Sequence, residues 1–95
     1  MLLSMPYIDK VIDKHTRVRY FSNDIDFDEL VWHRDKRSRK VKVISGYDWF
    51  LQFDNQMPIE LVVGQTYNIE KGSYHRLMKG DKATDLWIKI TENND

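Results

Sequence analysis

Turn-forming residues punctuate this 95-residue chain every eight to twelve positions, and the stretches between them alternate apolar with polar side chains. A period of two sends successive side chains to opposite faces of a strand, so one face can be buried while the other meets water. Thr16–Phe21 alternates in this way and is broken by Ser22-Asn23-Asp24. Residues 29–35 set Val31, His33 and Asp35 on one face and Leu30, Trp32 and Arg34 on the other. After the turn at Lys36-Arg37-Ser38, Arg39–Ser45 places Arg39, Val41 and Val43 opposite Lys40 and Lys42. Residues 47–53 form an aromatic strand, and 57–63 form another that begins at a sheet edge, because Pro58 has no N–H for a ladder. Shorter strands follow over Thr66–Ile69 and 73–78, and in the last strand Leu86, Ile88 and Ile90 alternate with Trp87 and Lys89. Eight or so short strands at this spacing specify an all-β sandwich or barrel.

One helix is expected. In residues 7–14 the apolar pairs Tyr7/Ile8 and Val11/Ile12 recur four positions apart, and Ser4 stands ahead of them as a cap. The chain then divides into residues 1–26, a helix and strand packing on the barrel, residues 27–91, the barrel core, and a polar tail at 92–95, all within one domain. A chain of this length lies near the lower limit for a single hydrophobic core, and a second domain is not expected.

Composition bounds the function. Fifteen basic and fifteen acidic residues cancel, which leaves no net field to draw nucleic acid or a membrane surface, so neither is an expected partner. The basic run 34–40 is read as a solvated hairpin turn rather than a phosphate site, and Asp24, Asp26, Asp28 and Glu29 as a solvated loop. Tyr47, Trp49 and Phe53 are read as core rather than as a base-stacking platform, and His15 as a surface residue. The absence of cysteine excludes disulfides and thiol catalysis. The amino-terminal stretch is too short for the apolar core of a signal peptide and no run is long enough to span a bilayer, so a cytoplasmic protein is expected.

Two spaced motifs carry the chemistry. Gly64 and Gly72 bracket a short strand, and His75 follows the second glycine by three; Gly64 and Gly72 suit turns needing positive φ. Upstream, His33, Asp35, Arg39 and Gly46 follow one another with one, three and six residues between them. The pair resembles the two motifs of the cupin superfamily, His-x-His-x3-4-Glu-x6-Gly and Gly-x5-Pro-x-Gly-x2-His-x3-Asn, in the right order and 18 positions apart from Gly46 to Gly64. Asp35 stands for the second His, Arg39 for Glu, Glu70 for Pro and Lys79 for Asn. The resemblance covers roughly residues 27–90 and implies a small single-domain cupin, an RmlC-like jelly roll or double-stranded β-helix.

Typical metal-binding cupins hold a divalent ion with the motif histidines and glutamate. Carried over, the resemblance implies His33, Asp35 and His75 as ligands for iron, manganese, nickel or zinc, a two-histidine, one-carboxylate set that leaves coordination positions open. Arg39 cannot ligate a metal; facing inward with Val41 and Val43, it would orient an anionic ligand or pair with Asp35 and leave a metal-free polar pocket. Gln52 is a further candidate for the pocket lining. The His-x-Asp with a distant His is also similar to the 2-oxoglutarate oxygenases, but Asp85 occupies the position of their basic anchor.

Two functions follow: a divalent-metal-dependent enzyme, oxygenase or isomerase in type, on a small polar or anionic molecule, or a noncatalytic cupin that binds a small ligand or acts as a dimeric module. The inward set is expected to be Val31, His33, Val41, Val43, His75 and Leu77. Trp32 and Arg34 share the opposite face, so a homodimer through that face or the amino-terminal segment is expected.

Overall fold

The computed structural model describes residues 7–26 and 30–93. Eight strands are present: β1 (Ile8–Val11), β2 (Thr16–Phe21), β3 (Arg39–Ser45), β4 (Trp49–Phe53), β5 (Ile59–Glu60), β6 (Thr66–Ile69), β7 (His75–Lys79) and β8 (Leu86–Glu92). They form two antiparallel sheets, a five-stranded one in the order β1-β2-β8-β3-β6 and a three-stranded one in the order β5-β4-β7. Among the described residues there is no helix, and hence none long and apolar enough to cross a membrane.

The alternation decides which faces meet. Phe21, Val41, Val43, Ile69, Leu86, Ile88 and Ile90 from the larger sheet are buried against Trp49 and Leu51 from the smaller, with Leu30 and Leu61 closing the gaps from connecting segments. Trp49 is fully buried, and its indole N–H donates to the Thr84 carbonyl at 2.6 Å, so the one polar atom of the largest core side chain is satisfied.

Several boundaries differ from the sequence expectation. The β3–β8 ladder shifts register between Val43 and Ser45, and Gly46 follows with φ 145°. A side chain is strained at this φ, and a Cβ there would lie 3.3 Å from the Asp85 carbonyl oxygen and Leu86 Cα, so this corner suits glycine. Asp48 continues the corner at φ 65°, which moves the start of the aromatic strand to Trp49 and leaves Tyr47 60% exposed rather than in the core. In residues 57–63 only Ile59–Glu60 pairs, because the chain turns at Val63-Gly64; Val62 and Val63 are exposed and Leu61 alone of the three is buried. Residues 30–35 do not join a ladder apart from an isolated bridge at His33, and Val31 is exposed while Leu30 is buried.

The expected helix over residues 7–14 is a strand and a turn; Ser4 lies outside the described residues. Spacing by four suits a helix, but β-branched Ile8, Val11 and Ile12 favour extended backbone, and a cross-strand partner decides the outcome. Asp9 is the register partner of Arg19 and accepts from its Nε and Nη2 at 2.7 and 2.9 Å. Asp13 supplies the hairpin turn, taking the His15 N–H on its side chain, while Ile12 N–H donates to the Thr16 carbonyl. Arg19 is itself buried, with its guanidinium 3.6 Å from the centre of the Tyr7 ring.

The inner face of the larger sheet is therefore apolar at one end and charged at the other. Arg19 and Arg17 meet Asp9, Arg17 Nη2 meets Glu92 at 3.1 Å, and Arg39 donates to the other Glu92 oxygen from Nε and Nη2 at 3.0 and 2.9 Å. Glu92 thus ends β8 as part of this row. Burial pushes the Asp9 carboxyl up, but the hydrogen bonds and charges of Arg19 and Arg17 outweigh it and hold the group below its usual 3.8. A carboxyl with a lower pKa folded than unfolded stabilises the fold above the unfolded value, and the stabilisation is lost as pH falls through the folded one. Asp9→Asn should accordingly cost about 1–2 kcal/mol at pH 7 in urea unfolding, and its deficit against the parent should shrink as pH falls below about 4.

Candidate metal centre

The glycine-bracketed turn clamps the upstream segment. His33 and His75 exchange both main-chain hydrogen bonds, at 2.9 and 3.0 Å, which brings residues from the two motifs side by side. Gly72 N–H donates to the Asp35 carbonyl at 2.9 Å, and Lys71 N–H donates to Ser38 Oγ at 3.1 Å. Gly72 reaches this position at φ 79° with no atom near its missing Cβ, so the requirement there is conformational rather than steric. His75 opens β7 opposite Phe53 of β4 and is 3% exposed.

The two imidazoles lie with ring centres 4.4 Å apart. His33 Nδ1 is 3.0 Å from the Val31 carbonyl and His75 Nδ1 is 2.9 Å from the Ser73 carbonyl. A carbonyl oxygen only accepts, so each Nδ1 carries a proton and each neutral ring presents a lone pair at Nε2. Both lone pairs face one carboxylate: His75 Nε2 is 3.3 Å from Asp35 Oδ2, and His33 Nε2 is 3.6 Å from Oδ1. The His75 contact is a hydrogen bond only when that ring is doubly protonated; with a neutral ring, buried Asp35 Oδ2 has no donor. Ligating atoms of His33, Asp35 and His75 all lie within 4.8 Å of one another. Three acceptors converging in this way repel unless a cation or a proton stands among them.

Burial pushes the Asp35 carboxyl up, but a hydrogen bond from the protonated form of His75, with the charges of Arg39 and of protonated His75 and His33, outweighs it and holds it below 3.8, so it is ionised at neutral pH. Arg39 Nη1 is 3.4 Å from Asp35 Oδ1, and its shorter contacts are to Glu92. The arginine that stands at the usual glutamate position is thus held mainly by Glu92, at the end of β8, and leaves Asp35 Oδ2 open.

These residues line one side of a cavity of about 350 Å³ between the sheets, whose remaining wall is largely apolar, with Phe21, Leu51, Leu61, Leu77 and Ile88 prominent. His33, Asp35, Arg39 and His75 all contribute to it. Gln52 does not: it lies on the other face of β4, where it accepts from Arg76 Nε and donates to the Gln56 carbonyl. Trp32, on the outer side, is half-buried by its own chain, stacked on Tyr74 at 5.2 Å and covered by Arg76 at 4.6 Å. Arg19 and Glu92 are the functional-site neighbours that pattern reading passes over. The available signal is parity, since Arg19 shares a face with Phe21 and Glu92 with Ile90.

No protein-family model and no curated protein matches the sequence. Solved structures share its fold. A DMSP lyase aligns over 83% of this chain and 37% of its own, with a TM-score of 0.68 and 18% identity. FeII HppE aligns over 82% of this chain and 41% of its own, with a TM-score of 0.64 and 14% identity. A cupin-2 domain-containing protein from Shewanella frigidimarina aligns over 93% and 81%, with a TM-score of 0.64 and 22% identity. The chain spans well under half the length of the first two. With its two facing antiparallel sheets and these neighbours, it has the cupin fold, a double-stranded β-helix.

Because the Gly72 requirement is conformational, Gly72→Ala should lower stability by about 1–2 kcal/mol, and Gly72→Asn, which tolerates positive φ, by less. Equal losses in chemical denaturation would contradict this account of the turn.

Proposed function

We propose that the protein is a divalent-metal-dependent cupin enzyme acting on a small polar or anionic molecule, with His33, Asp35 and His75 as the metal ligands. The observation that carries this reading is the Asp35 carboxylate, with one oxygen buried and donorless, facing two imidazole lone pairs. Two histidines and one carboxylate are the set used by nonhaem iron enzymes, and they also suit manganese, nickel and zinc. FeII HppE, an iron protein of the same fold, supports iron as the first metal to try. Such an ion supplies Lewis acidity and open positions for substrate.

The chain's own residues have separable tasks. The Val31 and Ser73 carbonyls fix the tautomers of His33 and His75, so that the ligating nitrogens point inward without rearrangement. Arg39, anchored by Glu92, holds Asp35 by one edge and presents positive charge to a bound anion. The apolar wall excludes water from the substrate's remaining surface. Three arginines and three carboxylates balance in the row from Asp9 to Asp35, so a divalent ion with neutral histidines leaves the site two charges positive, which favours an anionic substrate.

The Arg39–Asp35 contact favours a second reading, a metal-free pocket in a noncatalytic binding protein. Elemental analysis of protein purified without a polyhistidine tag or chelator separates the two. The expected result is one equivalent of metal, lost in both His33→Ala and His75→Ala. Added metal at a hundredfold excess over Kd should stabilise the metal-free parent by about 2.7 kcal/mol and leave both variants unshifted. A metal-free protein that no divalent ion stabilises would leave the binding-protein reading.

A further inference from the structure

Arg19 is the charged residue of the cavity lining that the metal centre does not use. It lies on β2, outside both sequence motifs, is 8% exposed, and lines the same cavity as the triad. Asp9 takes Nε and Nη2, and the Tyr7 ring covers the guanidinium plane. A guanidinium has five N–H donors, of which this arrangement uses two. Among the described residues no acceptor stands within hydrogen-bond reach of Nη1, so the Nη1/Nη2 edge, which matches the two oxygens of a carboxylate, is unclaimed.

A buried guanidinium is stabilised by one carboxylate, and Asp9 already supplies it. An open donor edge beside an apolar wall suits a ligand that brings two acceptor oxygens and a nonpolar body. In the metal-free cavity a monoanion fits better than a phosphate or dicarboxylate. The six ionised groups of the row already cancel, and each further negative charge in a low-dielectric cavity raises the cost of burial. The cavity, at about 350 Å³, lies near the small end of the roughly 300–1,000 Å³ range of ligand sites.

We infer that Arg19 is a carboxylate-binding residue of the cavity, and that its ligand is a small monocarboxylate whose apolar body packs against Phe21, Leu51 and Ile88. This names the substrate class for the site proposed above, and it rests on that reading only for the claim that the ligand is a substrate. The binding itself requires no metal.

Benzoate, with benzyl alcohol as the uncharged comparator, tests it by NMR titration of the metal-free protein at neutral pH. Benzoate is expected to bind at least tenfold more tightly than benzyl alcohol and to shift the Arg19 Nε–H resonance together with the amides of Phe21, Leu51 and Ile88. Arg19→Met should remove the preference for benzoate. Because that change can disturb the Asp9 pairing, Arg19→Met/Asp9→Asn, which removes both charges, serves as the second variant and should show the same loss. The titration uses metal-free protein, so a failed metal experiment leaves this result standing and the reverse also holds. Equal affinities for benzoate and benzyl alcohol, or benzoate shifts confined to residues outside the cavity, would overturn the assignment.

Discussion

The charged side of the cavity depends on a row of ionised groups that no member could join alone. Arg19, Asp9, Arg17, Glu92, Arg39 and Asp35 alternate in sign along the inner face of the larger sheet and its rim. An isolated buried guanidinium or carboxylate is costly to desolvate, and each of these groups has an oppositely charged neighbour within 4 Å. The row ties the β1–β2 hairpin to β8 and β3, which are distant from it in sequence. It also explains why a sheet whose other end is wholly apolar can carry polar chemistry without losing its packing.

The same row accounts for the unusual residue at the site. Arginine in place of a ligating glutamate places a fixed positive charge beside the candidate ligands, where it would compete for Asp35. Glu92 changes that balance by accepting from both Nε and Nη2, so only one edge of Arg39 reaches Asp35. The outcome is an ionised carboxylate with one oxygen engaged and the other open, set between two imidazoles whose tautomers are fixed by main-chain carbonyls.

Legibility followed the range of the deciding interaction. Val41, Val43, Leu86, Ile88 and Ile90 were readable because a strand buried on one face alternates regardless of what covers it. Residues 7–14 mislead because apolar spacing by four is compatible with helix and strand alike, and the arbiter of the outcome, the pairing of Asp9 with Arg19, spans ten residues. Val31 lines the cavity with His33 and Asp35, as its parity predicts, yet it stays exposed, since residues 30–35 make a single bridge rather than a ladder. Tyr47 reads as core in the sequence but is exposed, because the register shift ahead of Gly46 leaves no mark in composition. Motif spacing brought out His33, Asp35 and His75, whereas Arg19 and Glu92 belong to no motif and show only as charges on the buried parity.

The bridge between His33 and His75 has a consequence for how such a site can change. Its geometry comes from main-chain N–H and C=O groups, which every residue except proline possesses. Either side chain can therefore be exchanged for a different donor without moving the backbone that aims its partner. A lineage built on this scaffold can lose, gain or swap a single ligand in one step while the remaining two stay where they were.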